Sequence, residues 1–281
     1  MTSARLPLMP SRFTFTLATV VIAAFWGAAV WIGGNRLAAQ RIDALVNSHS
    51  ALVNEHATAL AYNLHVRLAF LHGLPIHFAG DLDIFDALRK HAHDAAFLQN
   101  DIKSRAPELL AQSDLLSLSR ELAAEGNQFG VDVTWVVNAS GDCIAASNFD
   151  KPESFLGTNY KDRDYFRQTI DGHLGHQFAV GRKTGLPGMY FSAPVMDGQN
   201  FLGAVVIKVD IAQLAPLLGS ADSFVTDEYG VVIMARNPAN YMRALPNNHL
   251  GELAADAKEF RYKRKEFNSF QHAYPVDTYT H

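Results

Sequence analysis

Val131-Asp-Val-Thr-Trp-Val-Val137, Asn138-Ala-Ser-Gly-Asp142 and Cys143-Ile-Ala-Ala146 follow one another without a gap, and their order decides the fold class. Two short runs of β-branched and apolar residues flank five turn-forming residues, the composition of an antiparallel hairpin. Before Gly130 the apolar residues recur at three- and four-residue spacing; after it they come in short runs bounded by glycine, asparagine and aspartate. The hydrophobic period therefore changes from helix to strand at that point.

Downstream, a short helix is expected from about Asp162 to Asp171. Strands should follow over Gln177 to Gly181, Gly188 to Val195 and Phe201 to Val209, with a turn at Asp197-Gly198. This order spells a small antiparallel sheet with helical material on one side. A shorter version begins at Ser223 to Thr226, turns through Asp227-Glu-Tyr-Gly230 and runs on from Val231 to Ala235, which is the pattern of an internal repeat. Beyond Asn237-Pro238 only a helical stretch, the basic run Arg261-Tyr-Lys-Arg-Lys265 and a polar tail remain, so the second copy is expected to be incomplete. The basic run reads as a solvated face.

Upstream, Ile42, Leu45, Val46, Leu52, Val53, Leu60, Leu64 and Leu68 mark one long amphipathic helix from Leu37 to about Leu71. Gly73 and Pro75 are expected to break it. A second helical region is expected from Leu82 to Gln128, interrupted near Pro107. Ahead of both, Phe13 to Gly34 is uncharged, and about 22 such residues at 1.5 Å each span a hydrocarbon core of roughly 30 Å. That core is longer than the roughly 7 to 15 apolar residues of a signal peptide, and Leu37-Ala-Ala-Gln40 matches a cleavage site poorly, so a retained anchor is expected. Arg5 and Arg12 before the span balance Arg36 and Arg41 after it, and charge does not set the orientation.

The expected organisation is α+β: a cytoplasmic tail over 1–12, a transmembrane helix over 13–35 and a helical region over 36–128. A membrane-distal PAS-like unit over 129–219 and a partial membrane-proximal one over 220–281 complete it. With 24 basic against 28 acidic residues and a net charge of −4, the chain lacks the basic footprint of a nucleic-acid partner. The single Cys143 excludes an internal disulfide and reads as a small strand residue. His49, His56 and His65 are spaced by seven and nine, and His91 and His93 by two, so neither set places a metal pair on one helix face. With no zinc-binding His-Glu-x-x-His, phosphate-binding glycine loop or nucleophile elbow, no catalytic centre, metal or cofactor is expected.

The densest chemistry lies in Phe155-Leu-Gly-Thr-Asn-Tyr-Lys-Asp-Arg-Asp-Tyr-Phe166, Ala179-Val-Gly-Arg-Lys-Thr-Gly185, Tyr190-Phe-Ser-Ala-Pro194 and Val205-Val-Ile-Lys-Val-Asp210. Arg163 can fork onto a carboxylate, with Tyr160, Tyr165, Phe166 and Tyr190 as floor and walls. Lys208 interrupts an apolar strand, where burial is costly unless an anion meets it. Pointing into one pocket, Arg163 and Lys208 would hold both ends of a small dianion. The plainer alternative pairs Arg163 with Asp164 or Asp210 and turns Lys208 outward. Alternation places Val206, Lys208 and Asp210 on one face, which is either a cavity or solvent.

From the membrane helix to about Asn237, these motifs resemble the extracytoplasmic double Cache region of bacterial membrane receptors. The resemblance is greatest to sensor histidine kinases for four-carbon dicarboxylates. It implies Arg163, Thr184 and Lys208 as anion contacts and Tyr160, Ser192 and the backbone around Gly185 as lining; Tyr165, Tyr190 and Asp210 complete the candidate set. The chain departs from the family in Asp162 and Asp164, two carboxylates beside Arg163 that would compete with an anion. The resemblance further implies a small carboxylate ligand, a membrane, a parallel homodimer and the bacterial inner membrane, with the sensor part outside the cytoplasm. Rival expectations are the input domain of a diguanylate cyclase or chemoreceptor taking an amino acid or other anion, with Asp210 on the ammonium, and a tethered dimerisation module without ligand.

Overall fold

The structure, a computed structural model, describes residues 12–91 and 102–270. The chain divides into two compact units, Met1–Ala59 and Leu60–His281. Helix α1 (Arg12–Ala79) opens in the first and ends in the second. Among the described residues it is the one helix long and apolar enough to cross a membrane, and its large apolar side chains Phe25, Trp26, Val30 and Trp31 are exposed.

Helix α1 does not stop at Gly73 and Pro75 as the sequence suggested; it runs through both to Ala79. An interior proline costs about 3 kcal/mol. Leu71 and Leu74 before Pro75 and Phe78 after it are all buried, and full burial is worth about 1.5 to 3 kcal/mol for each such side chain, so the packing of the continuous helix outweighs the lost bond. Gly80 ends the helix, and Asp81 Oδ1 accepts from the backbone N–H of Asp83 at 2.7 Å to start α2 (Leu82–His91). Pro107 likewise lies inside α3 (Ile102–Leu110), and the interruption before α4 (Ser113–Phe129) falls at Ala111-Gln112 instead. The reading of 92–101, including His93, falls outside the described residues, as do the 1–11 tail and residues 271–281.

Strands β1 (Val133–Asn138), β2 (Cys143–Ala146), β3 (Gly175–Val180), β4 (Pro187–Asp197) and β5 (Asn200–Asp210) form an antiparallel sheet in the order β2-β1-β5-β4-β3. Val205, Ile207 and Val209 of the central strand join Leu115, Leu118 and Leu122 of α4 and Leu71 and Phe78 of α1 in the main core. The opposite face carries Trp135, Tyr190, Ala204 and Val206. Helical material was expected on one side, but this face also carries a buried apolar cluster and needs cover. The chain supplies it by returning through Phe155 and Tyr160 into α5 (Asp164–Ile170), whose Tyr165 and Phe166 pack there.

After α6 (Ile211–Leu214) and a 3₁₀ turn at Ala215–Leu218, strands β6 (Phe224–Thr226) and β7 (Val232–Ala235) make a two-stranded sheet, followed by α7 (Ala255–Tyr262). The repeat read from the sequence is present in the backbone. Asn138 Oδ1 accepts from the N–H of Ser140 and Asp142, and Asp227 Oδ1 from the N–H of Tyr229 and Val231, at 2.9 to 3.1 Å. Behind each turn a returning segment donates to the turn glycine: Tyr160 N–H to Gly141 O at 2.7 Å, and Leu245 N–H to Gly230 O at 2.9 Å.

Candidate functional site

Alternation left two readings for the Lys208 face, and the register decides between them. β5 is flanked on both sides, so Lys208 stands in the middle of the sheet, opposite Val133 of β1 and Tyr190 of β4. Its face is the one covered by α5, and the residue is 1% exposed. The ammonium is ion-paired with Asp210 and donates to Thr184 Oγ1 at 3.3 Å. Lys208 therefore points inward, but its charge is already countered by a carboxylate of the chain itself.

Arg163 reaches the same region from α5. It occupies the position before the first helical residue, in extended conformation (φ −82°, ψ 137°), and its carbonyl accepts from the N–H of Phe166 and Arg167. The strands hold this end of the helix at two points. Gln177 of β3 accepts from the Asp164 N–H and donates to Asp164 Oδ2, and Ser192 Oγ of β4 donates to the Tyr165 carbonyl at 2.7 Å. So placed, Arg163 is 3% exposed and its Nη1 has no acceptor among the described residues. A buried donor without a partner costs about 1 to 3 kcal/mol, so such atoms mark where an acceptor belongs.

Three tyrosines and a tryptophan complete the surroundings. Tyr165 and Tyr190 stack with ring centroids 5.2 Å apart, and Trp135 packs against Tyr160, Tyr165 and Tyr190 at 5.9 to 6.1 Å. Trp135 Nε1 and the Tyr165 hydroxyl are buried and also lack acceptors among the described residues. Burial pushes the phenols of Tyr160, Tyr165 and Tyr190 above the ordinary tyrosine value, so at neutral pH they keep their protons and remain available as donors. Positive charge from Arg163 and Arg182 opposes that rise at Tyr165 and Tyr190, while Asp210 reinforces it at Tyr190, so the field of all three reaches these rings.

The candidate residues are thus brought together unevenly. Arg163 N–H donates to the Tyr160 carbonyl and its charge reaches the phenols of Tyr165 and Tyr190, and Lys208, Asp210 and Thr184 adjoin Tyr190 and one another. The Ser192 hydroxyl is committed to the Tyr165 carbonyl, so it positions α5, and Gly185 is exposed on the loop after β3. The two carboxylates expected to compete at Arg163 are engaged elsewhere. Asp162 pairs with Arg182, whose guanidinium also donates to the Asn159 carbonyl, and Asp164 pairs with Arg167 and Gln177. Trp135 escaped sequence reading because its place beside the tyrosines follows from the β1–β5 pairing across more than sixty positions, although alternation did put it on one face with Val133 and Val137.

Cys143 is buried in β2, and His49, His56 and His65 are exposed along α1. His91 lies 3.2 Å from Asp114 Oδ2. Among the described residues no group of three or more His, Cys, Asp or Glu is arranged to hold a metal ion. In the basic run only Lys263, Arg264 and Lys265 are exposed, since Tyr262 is buried and Arg261 pairs with Glu228.

Comparison with known proteins agrees with the resemblance carried by the motifs. The chain is similar to the C4-dicarboxylate transport sensor protein DctB of Pseudomonas aeruginosa, with 33% identity over 108 residues covering 38% of this chain and 18% of the relative. The protein of the same description from Rhizobium meliloti is 31% identical over 124 residues, 43% of this chain and 20% of the relative. The chain thus spans about a fifth of the length of these relatives. No family model matches it. Among solved structures, the sensor domain of the V. cholerae histidine kinase DctB superposes with a TM-score of 0.64 at 23% identity, covering 79% of this chain and 81% of that domain. The fold is that of this sensor domain.

Proposed function

We propose that this chain is the extracytoplasmic sensing portion of a bacterial signal-transduction receptor of the two-component kind, and that it binds a small carboxylate, a four-carbon dicarboxylate first of all. One observation carries the reading: Arg163 is almost fully buried and its Nη1 has no acceptor among the described residues, nor do the Tyr165 hydroxyl and Trp135 Nε1 of the adjoining aromatic cluster. A guanidinium offers two parallel N–H groups to a carboxylate, and neutral phenol and indole donors add hydrogen bonds without adding charge. Lys208 supplies the second cation, which a dicarboxylate reaches by taking over from Asp210. The similarity to dicarboxylate sensor proteins points the same way.

In this reading the apolar amino-terminal stretch of α1 anchors the chain in the inner membrane, and residues 129–219 are the membrane-distal ligand-binding module. The exposed stripe of Ile42, Leu45, Val46, Leu52 and Val53 pairs with the same stripe of a second copy to make a parallel homodimer. A second ligand class, an amino acid, would need Asp210 to turn from Lys208 to the ammonium of the ligand. Calorimetric titration with succinate, malate, fumarate and a panel of amino acids separates the two. Saturable binding of the diacids is expected; binding of amino acids alone would move the assignment to the second class, and silence throughout would end the ligand reading.

A further inference from the structure

We infer that Phe260, on α7 beyond the β6–β7 hairpin, is itself a ligand-site residue: it walls the Arg163 guanidinium and ties occupancy of the acid site to the second module. The inference rests on the carboxylate reading above and extends the site outside the module to which the sequence confines it. Arg163 Cζ lies over the Phe260 ring, 5.3 Å from its centroid. A ring beside the central carbon of a guanidinium leaves N–H groups free to donate, and Arg163 Nη1 has no acceptor among the described residues. Phe260 therefore keeps water off that side of the guanidinium, while a carboxylate takes its free N–H groups.

The ring is held there by two anchorages. α7 packs on β3, the edge strand whose Gln177 secures Asp164 beside Arg163. At its far end the Tyr262 hydroxyl donates to Asp227 Oδ2, and Arg261 Nη2 donates to Glu228 Oε2 at 3.1 Å. Asp227 is also the residue whose other oxygen shapes the β6–β7 turn. A single helix thus touches the proposed anion-binding arginine and the turn of the second hairpin. When a carboxylate neutralises the guanidinium, the attraction between cation and ring falls, and the change is felt at α7 through direct contact.

The test uses the full chain in detergent, with succinate as the probe, calorimetry for affinity and hydrogen exchange for α7. Succinate is expected to change the exchange of Ala255–Tyr262. Phe260→Ala is expected to bind succinate about tenfold more weakly and to lose that response. Phe260→Tyr should keep both. If Phe260→Ala does not fold, Phe260→Leu, which keeps bulk without the ring, carries the same expectation. Wild-type affinity in these variants, or succinate binding that leaves α7 exchange unchanged, overturns this inference alone. Absence of binding by the wild type to any acid of the panel overturns the ligand reading and the inference together.

Discussion

The β1–β2 and β6–β7 hairpins, with the segments that return behind them, use nearly the same backbone for different chemistry. Both turns are shaped by a carbonyl or carboxylate side chain, Asn138 or Asp227, and both close on a glycine with positive φ, +88° at Gly141 and +75° at Gly230. Further along, Gly157 N–H donates to Cys143 O with φ +72°, and Met242 N–H donates to Val232 O with φ +58°. The correspondence extends to the residue that defines the site: Arg163 N–H donates to Tyr160 O at 3.0 Å, and Asn248 N–H to Leu245 O at 3.2 Å. Where the first module places a buried cation, the second places an exposed amide. A shared scaffold thus carries a buried cation in the first copy and an exposed amide in the second, where Asp227 anchors α7.

The largest effect expected from this contrast concerns the buried polar anchor of each module. Lys208→Met leaves Asp210 without its cation at a site closed by α5, and should lower unfolding free energy by about 3 kcal/mol. Tyr262→Phe removes one hydrogen bond to Asp227 and should cost about 1.5 kcal/mol. Denaturant melts measure both. Adding Asp210→Asn to Lys208→Met should recover part of the loss, and strict additivity would show that the ion pair is not the anchor.

Ligand binding gives the next contrast. Arg163→Ala should weaken succinate binding about a hundredfold, the usual consequence of truncating one partner of a buried charge pair. Asn248→Ala, at the corresponding backbone position, should leave affinity unchanged. Equal losses from the two substitutions would refute the division of labour between the modules.

The turn glycines give the smallest contrast. A Cβ at Gly141 would lie 2.7 Å from Lys161 Cβ and 2.8 Å from its backbone N, whereas one at Gly230 would meet Asn248 Cα at 3.1 Å. Both also suffer the left-handed backbone, so Gly141→Ala should cost about 2 kcal/mol and Gly230→Ala about 1 kcal/mol. A reversed order in thermal melts would mean that the second returning segment packs more tightly than the first.

Much of this was legible without coordinates. The change of period at Gly130, the hairpin at Asn138 to Asp142, the strand order and the weak repeat are local patterns, and local patterns survive in a sequence. Pro75 and Pro107 misled because a proline's cost is visible in the chain, whereas the burial that outweighs it lies on distant elements. The Ser192 hydroxyl looked available for a ligand, since nothing near it in sequence announces the Tyr165 carbonyl that it meets. Asp162 and Asp164 looked like rivals for Arg163, yet Arg182, Arg167 and Gln177 engage them first.

By itself the sequence determined where helix gives way to strand, where the hairpins turn and which side chains share a strand face, because those properties depend on neighbours a few positions away. Only the tertiary structure decided that the face bearing Lys208 is covered, that Asp210 already engages its charge, that Trp135 joins the tyrosines and that Phe260 stands over Arg163. Each of these is a meeting between elements far apart in the chain. What settles them is the free energy of burying two faces of one sheet at once, a quantity that no single segment contains.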